Sequence, residues 1–298
     1  MNKPSVTIAV PTTEVQHKEW WARIMGHSWR WATEFDLHGP LAGGAAMPDV
    51  AKNIIAAAYM NGNNHHLTAQ NRNAIANRFE TDWLFFIDQD TVPPPDALAR
   101  LFAHNRPFVC GVYYHRNDPH APLLYKRLPN GLYNVIKDFE QGAIFQGDGY
   151  ATGLGCALIH RSVFEAITQQ YRVFMQDDGS RKLVHIDDIR SAGLPAQYRG
   201  GVFADRDRYF EVRELAEVPP EVEENSDFPF FEMNYGRTED LGFCERASRV
   251  GYPVLIDTAI TCLHWHMFPI TERHFTELRD ALKISGTSPS TIQPEGKL

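Results

Sequence analysis

Two carboxylates separated by one residue, Asp88 and Asp90, close the apolar run Trp83 to Ile87. Alternate residues of an extended segment point the same way, so both can lean into one crevice beyond the strand's carboxyl end, where open α/β sheets bind ligands. Left unpaired, two such groups repel and one tends to hold its proton; a divalent cation removes that conflict. Hard oxygen ligands suit Mg²⁺ or Mn²⁺, ions that keep open positions for phosphate oxygens. The plainer alternative is an acidic strand-to-loop turn, because Asp-x-Asp is common.

A second constellation lies far along the chain, where Thr238-Glu239-Asp240 opens a helical pattern. Acidic groups in a first turn are stabilised by the helix dipole, by up to about 1 kcal/mol each, so capping alone is one reading. Two adjacent carboxylates exceed what a cap requires. One is expected to hold the helix while the other faces the crevice as a general base. A late apolar strand then ends at His264-Trp265-His266, placing a histidine either as a neutral nitrogen ligand to an Asp-bound metal or as a satisfied core residue.

Three further places invite a ligand. Pro11, Thr12 and Thr13 follow the first strand with hydroxyls and free backbone groups that suit a nucleobase, or form an ordinary turn. Arg72 sits near the start of a helix leading into the Asp88 strand, where its guanidinium either reaches a pyrophosphate or base or is simply solvated. Gly153 and Gly155 bracket Leu154 before another apolar strand and let backbone approach a ligand closely. They lack the strand-to-helix context of a dinucleotide fingerprint, so a nicotinamide or flavin site is not supported. His115 and His120 lie in polar loops and are left out as ligands.

The elements that must position these residues follow from the apolar pattern. Val6 to Val10 reads as a strand closed by Pro11, and Trp83 to Ile87 as one buried on both faces. Glu19 to Phe35 reads as a sheet-covering helix with Trp20, Trp21, Ile24, Met25, Trp29 and Trp31 as its core side. Gly39 to Gly44 and Asn61 to Asn64 read as loops, with Val50 to Tyr59 between them helix or strand edge. Thr68 to Phe79 reads as a helix, and Pro93 to Pro95 are expected to stop the Asp88 strand before Asp96 caps a short helix through Leu101. Phe108 to Tyr114 is a buried strand, and Leu123 to Arg127 pairs with Leu132 to Ile136 across the turn at Asn130 and Gly131. Ser162 is expected to cap the helix after strand Cys156 to Ile159. Arg172 to Asn225 is expected to be a mobile loop, of the kind in which substrate lids reside. Helix Leu241 to Val250 stops at Gly251, strands Pro253 to Ile256 and Thr258 to Leu263 follow, and Thr271 caps a last helix to about Ile284.

At 298 residues and 43% hydrophobic, the chain can bury a full core as one large α/β domain. A net charge of -8 gives no global attraction to nucleic acid or anionic membrane. No segment approaches the roughly 18 apolar residues of a membrane span, so a cytoplasmic protein is expected. Cys110, Cys156, Cys244 and Cys262 are widely spaced within apolar segments, which suits reduced core thiols.

Asp88-Gln89-Asp90 after a buried strand, Thr238-Glu239-Asp240 opening a helix and Cys262-Leu263-His264 closing a late strand occur in that order. In order and spacing they resemble the GT-A glycosyltransferases, particularly family 2-like members, some of them encoded by bacteria and phages. The resemblance runs from about Val6 to His266 and leaves Arg172 to Asn225 unmatched. It implies a Rossmann-like, mixed but mostly parallel sheet flanked by helices, with an acceptor-side lobe. Residues 1–284 would form a single domain, nucleotide-binding to about 115 and acceptor-binding from 116, with an insertion near 172–225 and a flexible tail at 285–298.

The same resemblance implies roles. Asp88 would contact ribose or metal, and Asp90 and His264 would ligate Mn²⁺ or Mg²⁺, with His266 the alternative to His264. Asp240 would be the base of an inverting enzyme, beside Glu239; in a retaining enzyme Asp240 would orient the acceptor instead. Pro11, Thr12 and Arg72 would line the nucleotide pocket. The donor would be a nucleotide-sugar, UDP-sugar favoured, and the acceptor a glycan, protein, small molecule or modified DNA. Two rival readings share this sheet. A nucleotidyltransferase needs basic residues after a Gly-rich opening, which Pro11-Thr12-Thr13 lacks; a non-catalytic sugar-nucleotide-binding protein is expected to lose the base or a ligand, and here those positions are filled.

Overall fold

Short apolar runs bounded by glycine, proline or charge bury both faces only inside a covered sheet, and the main sheet is built from them. The computed structural model describes residues 3–12, 18–44, 47–61, 81–116, 120–175, 181–191, 228–233, 237–265, 269–270 and 276. The chain begins β1 (Ser5–Thr12), α1 (Lys18–Glu34), β2 (Asp36–Gly44), α2 (Pro48–Asn61), β3 (Trp83–Ile87), β4 (Thr91–Val92) and α3 (Ala97–Ala103). It continues β5 (Phe108–Val112), β6 (Leu124–Arg127), β7 (Tyr133–Val135), β8 (Ile144–Gln146), β9 (Tyr150–Thr152), β10 (Cys156–His160) and α4 (Arg161–Gln170). Last come β11 (Tyr171–Met175), β12 (Arg181–His185), α5 (Ile186–Ser191), α6 (Glu239–Arg249), β13 (Leu255–Thr261), β14 (Leu263–Trp265) and β15 (Pro269–Ile270).

Seven strands form the main sheet in the order β2-β1-β3-β10-β5-β13-β8. β1 pairs in parallel with β2 and β3, and β5 with β13. β10 lies antiparallel between β3 and β5, so those two share a direction, and β8 closes the far edge antiparallel to β13. The sheet is thus mixed but mostly parallel, as expected. Side chains alternate along β3: Leu84 and Phe86 pack with α2, α4 and α6, while Phe85 and Ile87 pack with α1 and α3. Both faces are covered. Small sheets β4-β14-β15 and β7-β6-β9 add to the rim, and β11 pairs with β12.

Several boundaries differ from the sequence expectation. β1 continues through Pro11 and Thr12, which pair with Gly43 and Gly44, so Gly39 to Gly44 is a strand rather than a loop. β2 is the sheet's edge, the position where glycine and proline are tolerated. Val50 to Tyr59 lies wholly within the helix α2. On α1 the buried stripe is Trp20, Ile24 and Trp31, whereas Met25 (52%) and Trp29 (77%) are exposed, a different side of the helix. Asp96 precedes α3 without a side-chain capping bond. His160, not Ser162, caps α4, its ring accepting from the Ser162 N–H. The strand expected over Phe108 to Tyr114 ends at Val112. The two strands expected between Pro253 and Leu263 become β13, with an irregular register after Asp257, and β14; Asp257 Oδ1 accepts from Ala259 N–H at 2.8 Å and holds the kink. β11, β12 and α5 occupy the beginning of the stretch expected to be loop.

Thr13, the helices expected over Thr68 to Phe79 and after Thr271, most of Arg172 to Asn225, and the tail 285–298 lie outside the described residues. All four cysteines are buried and free. Among the described residues no helix is long and apolar enough to cross a membrane.

Candidate functional site

The carboxyl ends of β1, β3 and β5 face one rim of the sheet. β10 runs the other way, and its pairing of Cys156 with Ile87 puts the preceding glycine segment at that same rim. Asp88 N–H donates to Gly155 O at 3.2 Å, and Thr91 N–H to Asp88 O at 2.9 Å, shaping the turn that carries both aspartates. β14 pairs with β4, and Trp265 N–H donates to Asp90 O at 2.6 Å, which draws His264 alongside the turn. The result is a cavity of about 460 Å³ whose walls include Pro11, Thr12, Asp88, Asp90, Gly153, Glu239, Asp240 and His264. Residues scattered over most of the chain meet there.

Asp90 Oδ2 lies 3.5 Å from His264 Nε2 and 2.9 Å from Arg116 Nη1. Burial would raise the Asp90 pKa, but the hydrogen bond and charge of His264 and the charge of Arg116 outweigh it and hold the carboxyl below its ordinary value. His264 Nδ1 is 2.7 Å from Tyr114 O, a carbonyl that can only accept, so Nδ1 carries a proton. In a neutral ring Nε2 then offers a lone pair toward a carboxylate oxygen. Two Lewis bases face each other, and a proton or a metal ion between them satisfies both.

The Thr-Glu-Asp turn is organised differently from a simple cap. Thr238 Oγ1 accepts from Leu241 N–H at 3.5 Å and caps α6, leaving both acidic side chains for other work. Glu239 and Asp240 are each only 7% exposed. Between them sits Lys52 from α2, 2% exposed, with Nζ hydrogen-bonded to Asp240 Oδ1, 3.2 Å from Glu239 Oε1 and 4.0 Å from Asp88 Oδ1. Asp240 Oδ2 accepts from Leu154 N–H at 3.0 Å.

Electrostatics follow from this packing. Burial alone would lower the Lys52 pKa, but Asp240, Asp88 and Glu239 more than reverse that and the ammonium persists. Burial pushes Asp88 up to about 6; Lys52 opposes the rise, and Asp240, Asp90 and Glu239 reinforce it. Burial, then the neighbouring Asp240, raises Glu239 as well.

The glycines serve a different neighbour from the one expected. A Cβ on Gly153 would collide with the Tyr113 hydroxyl, and one on Gly155 would lie 2.7 Å from Thr91 Oγ1 and 2.8 Å from Asp88 Oδ2. Their missing side chains make room for the Tyr113 ring, whose hydroxyl accepts from Gly155 N–H at 3.1 Å and reaches Asp88 Oδ2 at 3.5 Å. Gly153 still lines the cavity.

Arg72 and His266 lie outside the described residues. Among the described residues, no three His, Cys, Asp or Glu side chains form a ready-made metal site: Asp90 and His264 face each other, while Asp88 Oδ1 faces Lys52. Lys52, Tyr113 and Arg116 also line the cavity, though the sequence motifs do not point to them. A lysine inside the Ala-rich pattern Ala51 to Ala58 was the one available signal for the first. Tyr113 and Arg116 carried no comparable signal.

Residues 47–168 match the family described as "Glycosyl transferase family 2". That stretch, less than half of the chain, is similar to family 2 glycosyltransferases. The covered mixed sheet is consistent with the GT-A fold. The matched stretch contains Lys52, Asp88, Asp90, Gly153 and Gly155; Glu239, Asp240 and His264 follow it in sequence and join it through the cavity. Among solved structures, A197 from STIV aligns over 88% of this chain and 86% of its own, at 14% identity and a TM-score of 0.41. No curated protein matches the sequence.

Proposed function

We propose that this protein is a glycosyltransferase that moves a sugar from a nucleotide-sugar donor, UDP-sugar favoured, to an acceptor hydroxyl with inversion at the anomeric carbon. The observation that carries this reading is the meeting of Asp88, Asp90, Glu239, Asp240 and His264 in one cavity of about 460 Å³, a size suited to a small ligand. Pro11 and Thr12 at the end of β1 would border the nucleotide, with Arg72 as a further contact. Asp88 would face the ribose. Residues 1–284 would act as one catalytic domain, its donor-binding half ending near residue 115.

The donor set of Asp90 and His264 fits a divalent cation, Mn²⁺ or Mg²⁺. Such ions are often held by one or two protein groups with substrate phosphates completing the shell, and His264 Nε2 and Asp90 Oδ2 lie 3.5 Å apart. Asp88 becomes a third ligand only by turning from Lys52. When bound, the ion supplies positive charge for the departing diphosphate.

The remaining chemistry belongs to the chain. Asp240 takes the proton of the acceptor hydroxyl as that oxygen forms its bond to the anomeric carbon. The bond from that carbon to the diphosphate oxygen breaks with its electron pair leaving on the diphosphate. Both Asp240 oxygens already accept one hydrogen bond, and each retains a second lone pair for this proton. Glu239 stays beside it, on Lys52.

The test is a melting-temperature panel of UDP-glucose, UDP-galactose and UDP-N-acetylglucosamine with and without Mn²⁺, followed by assay of UDP release. At least one donor is expected to raise Tm in the presence of Mn²⁺ and to be turned over. Release of pyrophosphate from a nucleoside triphosphate, without UDP release from any sugar donor, would reverse the assignment.

A further inference from the structure

Lys52 is the most deeply buried cation facing the cavity among the described residues, and no step above uses it. A lysine at 2% exposure is costly unless its charge is matched. Replacing buried ion pairs with packed apolar groups is often neutral or stabilising, so stability alone is a weak reason for an ammonium in an otherwise alanine-rich helix. Its location is more informative. Lys52 reaches from α2, on the donor side of the site, to both carboxylates that open α6.

The helix that carries it is itself held in register. Asn53, the next residue, grips the backbone of Phe231 with both ends of its amide, donating to Phe231 O at 2.6 Å and accepting from Phe231 N–H at 2.9 Å. Asp240 is clamped from a second direction by Leu154 N–H, so its carboxylate plane is fixed by two elements. Without a cation between them, Glu239 and Asp240 would repel, and one would hold a proton; a protonated carboxyl is no base.

We infer that Lys52 is a positioning residue for glycosyl transfer, holding Asp240 and Glu239 as two oriented anions at the acceptor side of the donor cavity. The inference rests on the proposed role of Asp240 as base. Lys52 acts through Asp240 and leaves the donor's diphosphate to Asp90, His264 and their surroundings. Its loss therefore removes an interaction that matters chiefly in the transition state, and donor binding changes little because Asp88, at 4.0 Å from Nζ, is its more distant partner.

The experiment compares wild type with Lys52→Met, Lys52→Arg, Asp240→Asn and the double variant Lys52→Met/Asp240→Asn. Each is assayed for UDP release from the donor that the wild type turns over best, with water as the acceptor, and Tm is recorded alongside. In Lys52→Met, kcat is expected to fall by about a hundredfold with donor KM within about twofold of wild type; Lys52→Arg, which keeps the charge but displaces it, should recover part of that loss. The double variant should turn over no more slowly than Asp240→Asn alone, because a residue that acts through Asp240 has nothing left to position.

Wild-type kcat in a folded Lys52→Met overturns the inference, as does a rise in donor KM that accounts for the whole loss. If Lys52→Met fails to fold, Lys52→Arg and the double variant decide, since neither leaves both carboxylates facing a vacant cation position. A double variant clearly slower than Asp240→Asn also overturns it. Full turnover in Asp240→Asn sinks the assignment of the base instead, which keeps the two failures apart.

Discussion

Asp88 shows how one side chain can carry a pH dependence for the whole protein. Burial pushes it up to about 6, against an ordinary carboxyl value near 4, so in the folded chain it keeps a proton that the unfolded chain has already lost. The protonated carboxyl's stabilising contribution is complete below about pH 4 and is lost as pH rises through about 6. In metal-free protein, Asp88→Asn should therefore gain stability relative to wild type as pH is raised from 4 to 7, read by urea unfolding at a series of pH values. A constant difference across that range would show that Asp88 titrates alike in the folded and unfolded chain. The residue types at this site were legible in the sequence: Asp88, Asp90, Glu239, Asp240 and His264 all reach one cavity. Lys52 was not, because a lysine's role inside a helix is set by what lies opposite, and Glu239 and Asp240 lie 187 and 188 residues away.

At the level of elements, two glycines separate constraint from accident. Gly155 precedes β10, where an added methyl would meet Thr91 Oγ1 and Asp88 Oδ2 at under 3 Å; Gly26 lies inside α1 with nothing within 4 Å of an added Cβ. Gly155→Ala should displace the Asp88 turn and cost at least about tenfold in kcat/KM, in line with the sensitivity of catalysis to small misplacements. Gly26→Ala should leave turnover unchanged and raise stability by about 0.5–1 kcal/mol, because alanine loses less backbone freedom in a helix. Equal effects of the two on turnover would show that the turn is not confined as described. Periodicity identified α1 and β3, and the acidic turn identified the start of α6. It misread β2 as a loop, because an edge strand tolerates glycine and proline that a central strand would not.

For the molecule as a whole, charge balance in the cavity bears on the proposed ligands. Asp88, Asp90, Glu239 and Asp240 face Lys52 and Arg116 there, so the proposed diphosphate would enter a site already rich in anions. A divalent cation and the diphosphate should each strengthen the other's binding by the same factor, expected at about tenfold or more, as linkage requires. Calorimetric titration of Mn²⁺ with and without UDP, and of UDP with and without Mn²⁺, measures this directly. Asp90→Ala should abolish the coupling and the Mn²⁺-dependent turnover while the protein still melts cooperatively. Persistent coupling in that variant would place the ion elsewhere.

Sequence by itself determined that two aspartates end a buried strand, that two more carboxylates begin a helix, and that a histidine closes a late strand, since such features depend on neighbours within a few residues. Only the tertiary structure decided that β10 enters the sheet against β3, that β14 lies beside the Asp90 turn, and that Lys52 lies between the acids of α6. Strand order and helix docking are settled by the packing of both sheet faces at once, and that sum over distant contacts has no local signature in the chain.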